Sequence, residues 1–150
     1  MRLPSGLRSL SAAQLDRFRG QDIGLVFQKN HAIQSLTIKE NLEARLYFSK
    51  MPVDKDRING LLSELDLIES KEKKAQQLSE GQLQRLAIAL AVVHQPSIIF
   101  ADEPTSSLDD SNCQRVIQLL KTQAALNKAN LIVITHDARV KSHFENTLSL

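Results

Sequence analysis

This chain has a single cysteine, Cys113, so no disulfide can form within it. It has no apolar stretch long enough to span a bilayer: the longest runs, Leu86–Val93 and Ile98–Ala101, fall far short of the roughly 20 residues required. The opening MRLPSGLRSLSAAQ has no continuous apolar segment and does not read as a signal peptide. Neither charge sign dominates, with 19 Lys plus Arg against 17 Asp plus Glu, and the basic residues are scattered. That balance argues against a dedicated nucleic-acid surface. There are five glycines, Gly6, Gly20, Gly24, Gly60 and Gly81, none of them followed by lysine, so the phosphate-cradling pattern GxxxxGK[ST] is absent from the 150 residues. Repeats and low-complexity segments are also missing. These absences lead to the expectation of one soluble, intracellular domain, and 42% hydrophobic residues suffice for a core.

Strand-length apolar runs alternate with helical patterns. Ser11 can cap a helix reaching about Arg19, which leads into the run Ile23–Phe27 with Gln28 at its end. From Leu36 to Gln77 the pattern is helical (Ile38, Leu42, Leu46; then Ile58, Leu61, Leu62, Leu65) with a break at Pro52, and Glu69–Gln77 reads as a polar, solvated connector. Ser79 and Gln82 have capping-box spacing, which predicts a helix from Ser79 that stops before Pro96. Ser97–Ala101 is a second strand, and a helix from about Ser111 to Leu126 follows, with Val116, Ile117, Leu120 and Ala124 turned inward and Cys113 a buried thiol. Leu131–Thr135 is a third strand, and a short helix and the apolar tail Thr147–Leu150 close the chain. This order implies an α/β fold, a mostly parallel sheet with helices over its faces.

Polar residues follow each strand: Gln28 the first, Asp102 and Glu103 the second, His136 the third. In a parallel sheet these ends share one edge, the place where open α/β sheets bind ligands. Singly, each has a plain structural explanation. Gln28 is an ordinary strand-end residue, Asp102 a cap, His136 a loop histidine, and LSEGQ a helix N-terminus. Their joint order and spacing are far more restrictive.

That combination resembles the nucleotide-binding subunit of ATP-binding cassette (ABC) transporters. Gln28 in VFQ is similar to the Q-loop, and Leu78–Gln82 (LSEGQ) to the signature motif, usually LSGGQ. Ile98–Asp102 with Glu103 resembles Walker B and its adjacent glutamate, Ser107-Leu108-Asp109 the D-loop, and His136 in ITHD the switch histidine. LTIKENL and ADEPTSSLD resemble the branch that includes lipoprotein-releasing and macrolide-export cassettes. The resemblance implies a P-loop NTPase-like (RecA-like) core with an inserted helical subdomain at about residues 36–94, here N-terminally truncated. The implied ligands are ATP and Mg²⁺, with Asp102 holding the ion through water and Gln28 joining that shell while sensing the transporter. Glu103 would polarise the attacking water, and His136 would contact the γ-phosphate or that water. Ser79, Glu80, Gly81, Gln82 and Asp109 would act in trans on nucleotide bound to a second cassette subunit. A transmembrane permease is the other implied partner, which places the chain on the inner face of the cell membrane.

Two departures matter. Without a Walker A loop, the chain alone is expected to hydrolyse no ATP and to expose apolar edges where the P-loop strand would pair. The alternatives are a silent partner that completes another subunit's ATP site and a nonfunctional truncated product. Glu80 replaces the usual signature glycine; it is either a solvent-facing cap residue or a source of repulsion toward the partner's γ-phosphate. ABC-type DNA-repair and translation ATPases fit less well, because the stretch between Gln28 and Leu78 is compact and lacks heptads, cysteine pairs or a second cassette.

Overall fold

The computed structural model describes residues 11–28, 31–106 and 108–148. Ser107 of the D-loop reading, all of the lead-in before Ser11 and the last two residues of the apolar tail lie outside these residues. The elements are α1 (Ala12–Gln21), β1 (Ile23–Phe27), α2 (Ile38–Phe48), α3 (Lys55–Glu64), α4 (Glu80–Val92), β2 (Ile98–Asp102), α5 (Asp110–Leu126), β3 (Asn130–Ile134) and α6 (Ala138–Lys141). Among the described residues the strands form one parallel sheet in the order β1-β2-β3.

Most helix starts follow from local chemistry. Capping boxes open α1 (Ser11 with Gln14), α2 (Thr37 with Glu40) and α4 (Ser79 with Gln82), each satisfying two backbone donors that the helix leaves free. Aspartates cap α3 (Asp54) and α5 (Asp109). At the far ends Lys50, Gln95 and Lys128 take left-handed conformations (φ 56°, 55° and 52°), which turn the chain out of α2, α4 and α5.

Among the described residues the sheet is covered on one face only. Gly24, Val26, Ile99 and Ala101 are buried beneath α4 and α5, with Leu131 and Val133 packed into the same core. Period-two alternation sends the other set outward. Leu25, Phe27 and Ile134 are 49%, 42% and 53% exposed, with Phe100 and Ile132 half-buried among them. The expectation of helices over both faces is therefore corrected. The two crossovers, β1 to β2 and β2 to β3, step in the same direction across the sheet, and right-handed connections then put both return helices on the same side. The apolar surface left open is a sheet face as well as an edge.

Leu42 and Leu46 of α2, Leu61 and Leu62 of α3, and Leu86 of α4 join the sheet residues in one apolar core. The polar stretch Glu69–Gln77 is not a free solvated loop. It forms two short 3₁₀ turns with Ser70 and Ala75 buried, and backbone bonds Ile38 N to Lys73 O and Ala75 N to Leu36 O dock it against the start of α2. Its charged side chains concealed that docking, whose hydrogen bonds to the start of α2 are made by main-chain atoms.

Two positions tie the helices to the sheet. Gly24 lies so close under α4 that a Cβ there would overlap the Ala91 carbonyl and press on Pro96 Cγ at 3.1 Å. His94, just past α4, is buried with Nε2 3.0 Å from Arg45 Nη2 and 3.0 Å from the Ile23 carbonyl oxygen. Burial and the neighbouring Arg45 cation push its pKa from 6.5 down to about 4. Arg57 of α3 donates to the Val93 and Val92 carbonyls (2.9 and 3.1 Å) and to Asn127 Oδ1 (3.2 Å), setting a cation at the negative end of α4.

Gly24→Ala should destabilise the fold by about 1–3 kcal/mol, because its obstacle is backbone and cannot rotate away; urea unfolding measures this. Because the folded pKa of His94 is depressed, the unfolded chain binds a proton between pH 6.5 and about 4 that the folded chain refuses. Its contribution to stability should therefore be complete above pH 6.5 and fall away through that window as pH drops, with a slope of at most ~1.4 kcal/mol per pH unit. Comparing the pH dependence of unfolding for the parent chain and His94→Gln isolates that slope, which the variant should lack.

Candidate active site

Strand register assembles the site. Phe27, Asp102 and Ile134 lie in one row across the three strands, so Gln28, Glu103 and Thr135 leave the sheet at the same edge, with His136 next. Asp102 is the last residue of β2 rather than the first beyond it. It alternates with the buried Ala101 and so points to the uncovered face, between Phe27 and Ile134.

Glu103 extends the ladder by one bond, from its amide to the Ile134 carbonyl (2.9 Å), and then turns away with φ 48°. A non-glycine residue in the left-handed region costs of order 1 kcal/mol and is held there by its surroundings. Those surroundings are a clamp on the carboxylate. Oε1 accepts from the His136 amide (3.0 Å) and ring Nδ1 (2.7 Å), and Oε2 accepts from the Thr135 hydroxyl (3.0 Å). Partial burial favours the protonated form, but the His136 amide, the Thr135 hydroxyl and the His136 ring together outweigh it and hold the Glu103 carboxyl below its ordinary value. Three of about four acceptor positions are thereby filled, leaving room for one further donor such as a water. Glu103 is an ionised, oriented carboxylate beside a histidine whose side chain is 87% exposed.

The segment after His136 is equally ordered. Asp137 caps α6 and takes a forked pair of bonds from Arg139, with Nη2 to Oδ2 at 2.7 Å. It also accepts from the buried Thr105 hydroxyl at 3.2 Å. The Arg139 guanidinium, through these bonds, holds the Asp137 carboxyl down to about 2.

Of the other sequence-predicted residues, Ser79, Gln82 and Asp109 serve as helix caps. Ser79 accepts from the Gln82 amide, and Gln82 Oε1 accepts from the Ser79 amide while its Nε2 donates to Ser70. Glu80 and Gly81 occupy the exposed first turn of α4. Gln84 Nε2 donates to the Pro104 carbonyl at 2.9 Å, which seats the start of α4 beside the residue that follows Glu103. Asp109 caps α5, with one oxygen on the Asn112 amide and the other on the Asn112 side chain, both 2.9 Å.

Three contributors escaped the sequence reading. Thr135, Gln84 and Arg139 act through contacts between distant segments, and a single sequence carries no mark of such contacts. Asn41 is a fourth. It is buried on α2, and its side chain accepts from the Ile33 amide (2.8 Å) and donates to the Ile33 and Thr37 carbonyls, pinning the loop that follows Gln28.

The oxygen donors suit a hydrated Mg²⁺ shared with phosphate, since Asp102 offers an exposed carboxylate and Gln28 an amide at the same edge. They do not form a cage for a resident ion: among the described residues no group of three His, Cys, Asp or Glu comes together. The sequence pattern GxxxxGK[ST] of a glycine-rich phosphate cradle does not occur in the 150 residues.

Among the described residues no helix is long and apolar enough to cross a membrane. The chain is 33% identical to the bacitracin export ATP-binding protein of Halalkalibacterium halodurans over 93% of its own length and 56% of that protein's. It is 34% identical to the lipoprotein-releasing system ATP-binding protein of Legionella pneumophila over 95% and 64%. With the macrolide export ATP-binding/permease protein of Pasteurella multocida it shares 37% identity over 96% and 22%. The chain thus spans less than two thirds of the curated relatives it matches. A dimeric bacterial ABC transporter cassette superposes with a TM-score of 0.73 at 35% identity, over 89% of this chain and 60% of that one. A dimeric post-hydrolysis cassette bound to ADP and Pi gives 0.72 at 36% identity, over 87% and 59%. The ABC transporter family model matches residues 7–106, a span that holds Gln28, the LSEGQ helix start and the Asp102-Glu103 pair on one cassette-like fold; this chain belongs to the ABC transporter family.

Proposed function

We propose that these residues form the water-activating and partner-facing part of an ABC ATPase subunit that couples ATP hydrolysis to transport. The supporting observation is the Glu103 clamp: an ionised carboxylate, fixed by Thr135 and His136, at the strand-end edge that also carries Asp102 and Gln28. In this reading Glu103 accepts a proton from water as the water oxygen attacks the γ-phosphorus, and the bond to the bridging oxygen breaks to release ADP. Asp102 and Gln28 would orient the hydrated Mg²⁺, which lowers the charge repulsion the attacking oxygen meets. His136 would hold the γ-phosphate or the water. Ser79, Glu80, Gly81, Gln82 and Asp109 would face nucleotide on a second subunit, where the exposed N-terminus of α4 attracts anions. Residues 36–94 would be the helical subdomain.

The phosphate cradle would come from polypeptide outside these 150 residues. Parallel sheets are normally covered on both faces, and the face bearing Leu25, Phe27 and Ile134 is bare. A parallel strand beyond β3, joined to β1 by a right-handed crossover, would lay its helix on that face. The permease would contact a groove of about 460 Å³ beside β1, whose walls include Phe27, Ile33, Ala44, Phe48 and Leu90. That groove lies next to Gln28, so a docked permease helix would touch the loop that follows the site.

The 150-residue chain alone should hydrolyse ATP no faster than background in a phosphate-release assay; turnover abolished by Glu103→Gln would contradict this. ATP-dependent co-elution with an intact cassette subunit would favour the reading in which the chain only completes a partner's site. Phe48 is exposed at the groove wall, so Phe48→Asp should leave the melting temperature near that of the parent while weakening co-purification with a permease at least tenfold.

A further inference from the structure

Arg139 lies outside every motif named above, yet its guanidinium makes five hydrogen bonds. Its Nη1 donates to the Leu108 carbonyl (3.1 Å) and to Asp110 Oδ1 (2.7 Å), so it grips the residue on either side of Asp109. Its Nε and Nη2 fork onto the Asp137 carboxylate at 3.0 and 2.7 Å. Asp137 in turn donates its amide to the Thr135 hydroxyl (3.0 Å), and that hydroxyl donates to Glu103 Oε2 (3.0 Å). A continuous set of hydrogen bonds therefore runs from the Glu103 carboxylate through Thr135, Asp137 and Arg139 to both flanks of Asp109. Thr105, fully buried, anchors the middle of the path by donating to Asp137 Oδ2 at 3.2 Å.

We propose that Arg139 is a positioning residue that locks the segment around Asp109 to the Thr135–Asp137 segment, so that the placement of Asp109 follows the state of the Glu103 clamp. The meaning of that link rests on the reading above, in which Asp109 faces a second subunit: the clamp in one subunit then sets how its partner's site is met. Planar fork geometry is what the role needs. A guanidinium can hold the Asp137 carboxylate along one edge and still offer Nη1 to two acceptors on another segment. A lysine ammonium at this position would supply charge without that span. The ion pair to Asp110 contributes little stability by itself, because the Asp110 side chain is 84% exposed. Its value is directional, since it works with the Leu108 carbonyl to fix one short stretch of chain.

Hydrogen exchange of the 150-residue chain tests this by a double-mutant cycle. The amides to follow are Asn112 and Cys113, bonded to Asp109, and His136 and Asp137 in the switch segment. Thr135→Val breaks the path near Glu103 and Arg139→Ala breaks it near Asp109. With Arg139 present, Thr135→Val should speed exchange at Asn112 about threefold or more relative to Ile117 in the core of α5; with Ala at 139 it should have no further effect. Thr135→Ser, which keeps the hydroxyl, should behave as the parent. Arg139→Lys should uncouple the segments as Ala does. Additive effects of the two substitutions, or full coupling retained by Arg139→Lys, would overturn the proposal. The cycle needs neither ATP nor a partner, so its outcome is independent of the ATPase and co-elution results that test the functional reading.

Discussion

Central placement of β2 is the constraint on which the rest of the molecule depends. Both of its edges are used, five residues pairing with β1 and the same five with β3. One-residue slippage on either side would turn the core residues Ile99 and Ala101 toward the bare face and bring Asp102 beneath the helices. Register therefore decides burial and chemistry together. It also aligns Phe27, Asp102 and Ile134, so the polar residues that follow each strand emerge side by side.

The helices hold that register from one side. α4 approaches β1 so closely that only glycine fits at position 24, and its C-terminal carbonyls are held by Arg57 of α3. His94 stays neutral because burial disfavours its charged form and protonation would set a second cation against Arg45. At the opposite end of α4, Gln84 reaches the Pro104 carbonyl. One helix thus joins the LSEGQ turn, the Glu103 turn and the edge of β1 into a single packed body, and a shift of α4 would be felt at each.

Much of this was legible in the residues themselves. Helix starts at Ser11 and Ser79 and the helix stop before Pro96 follow from capping and proline chemistry, which act within a few residues. β1 was delimited correctly by its apolar run, while β2 and β3 each sit one residue from the expected bounds. The error at β2 is instructive: Asp102 looks like the first residue past a strand because it is charged, but its backbone completes the ladder. The stretch Glu69–Gln77 misled for the opposite reason: main-chain hydrogen bonds and the buried Ser70 and Ala75 dock it, while most of its charged side chains face water.

Composition and local pattern by themselves determined the α/β class, the parallel order of elements and the candidates Gln28, Asp102, Glu103 and His136, since each depends on residues adjacent in the chain. Only the tertiary structure decided that Glu103 is clamped by Thr135 and His136, that Asp109 is gripped through Arg139, and that one face of the sheet stands bare. Those features join segments about 30 residues apart or more in sequence. Hydrogen bonds of that kind are set by the geometry of the packed chain, and no local preference of the residues involved encodes them.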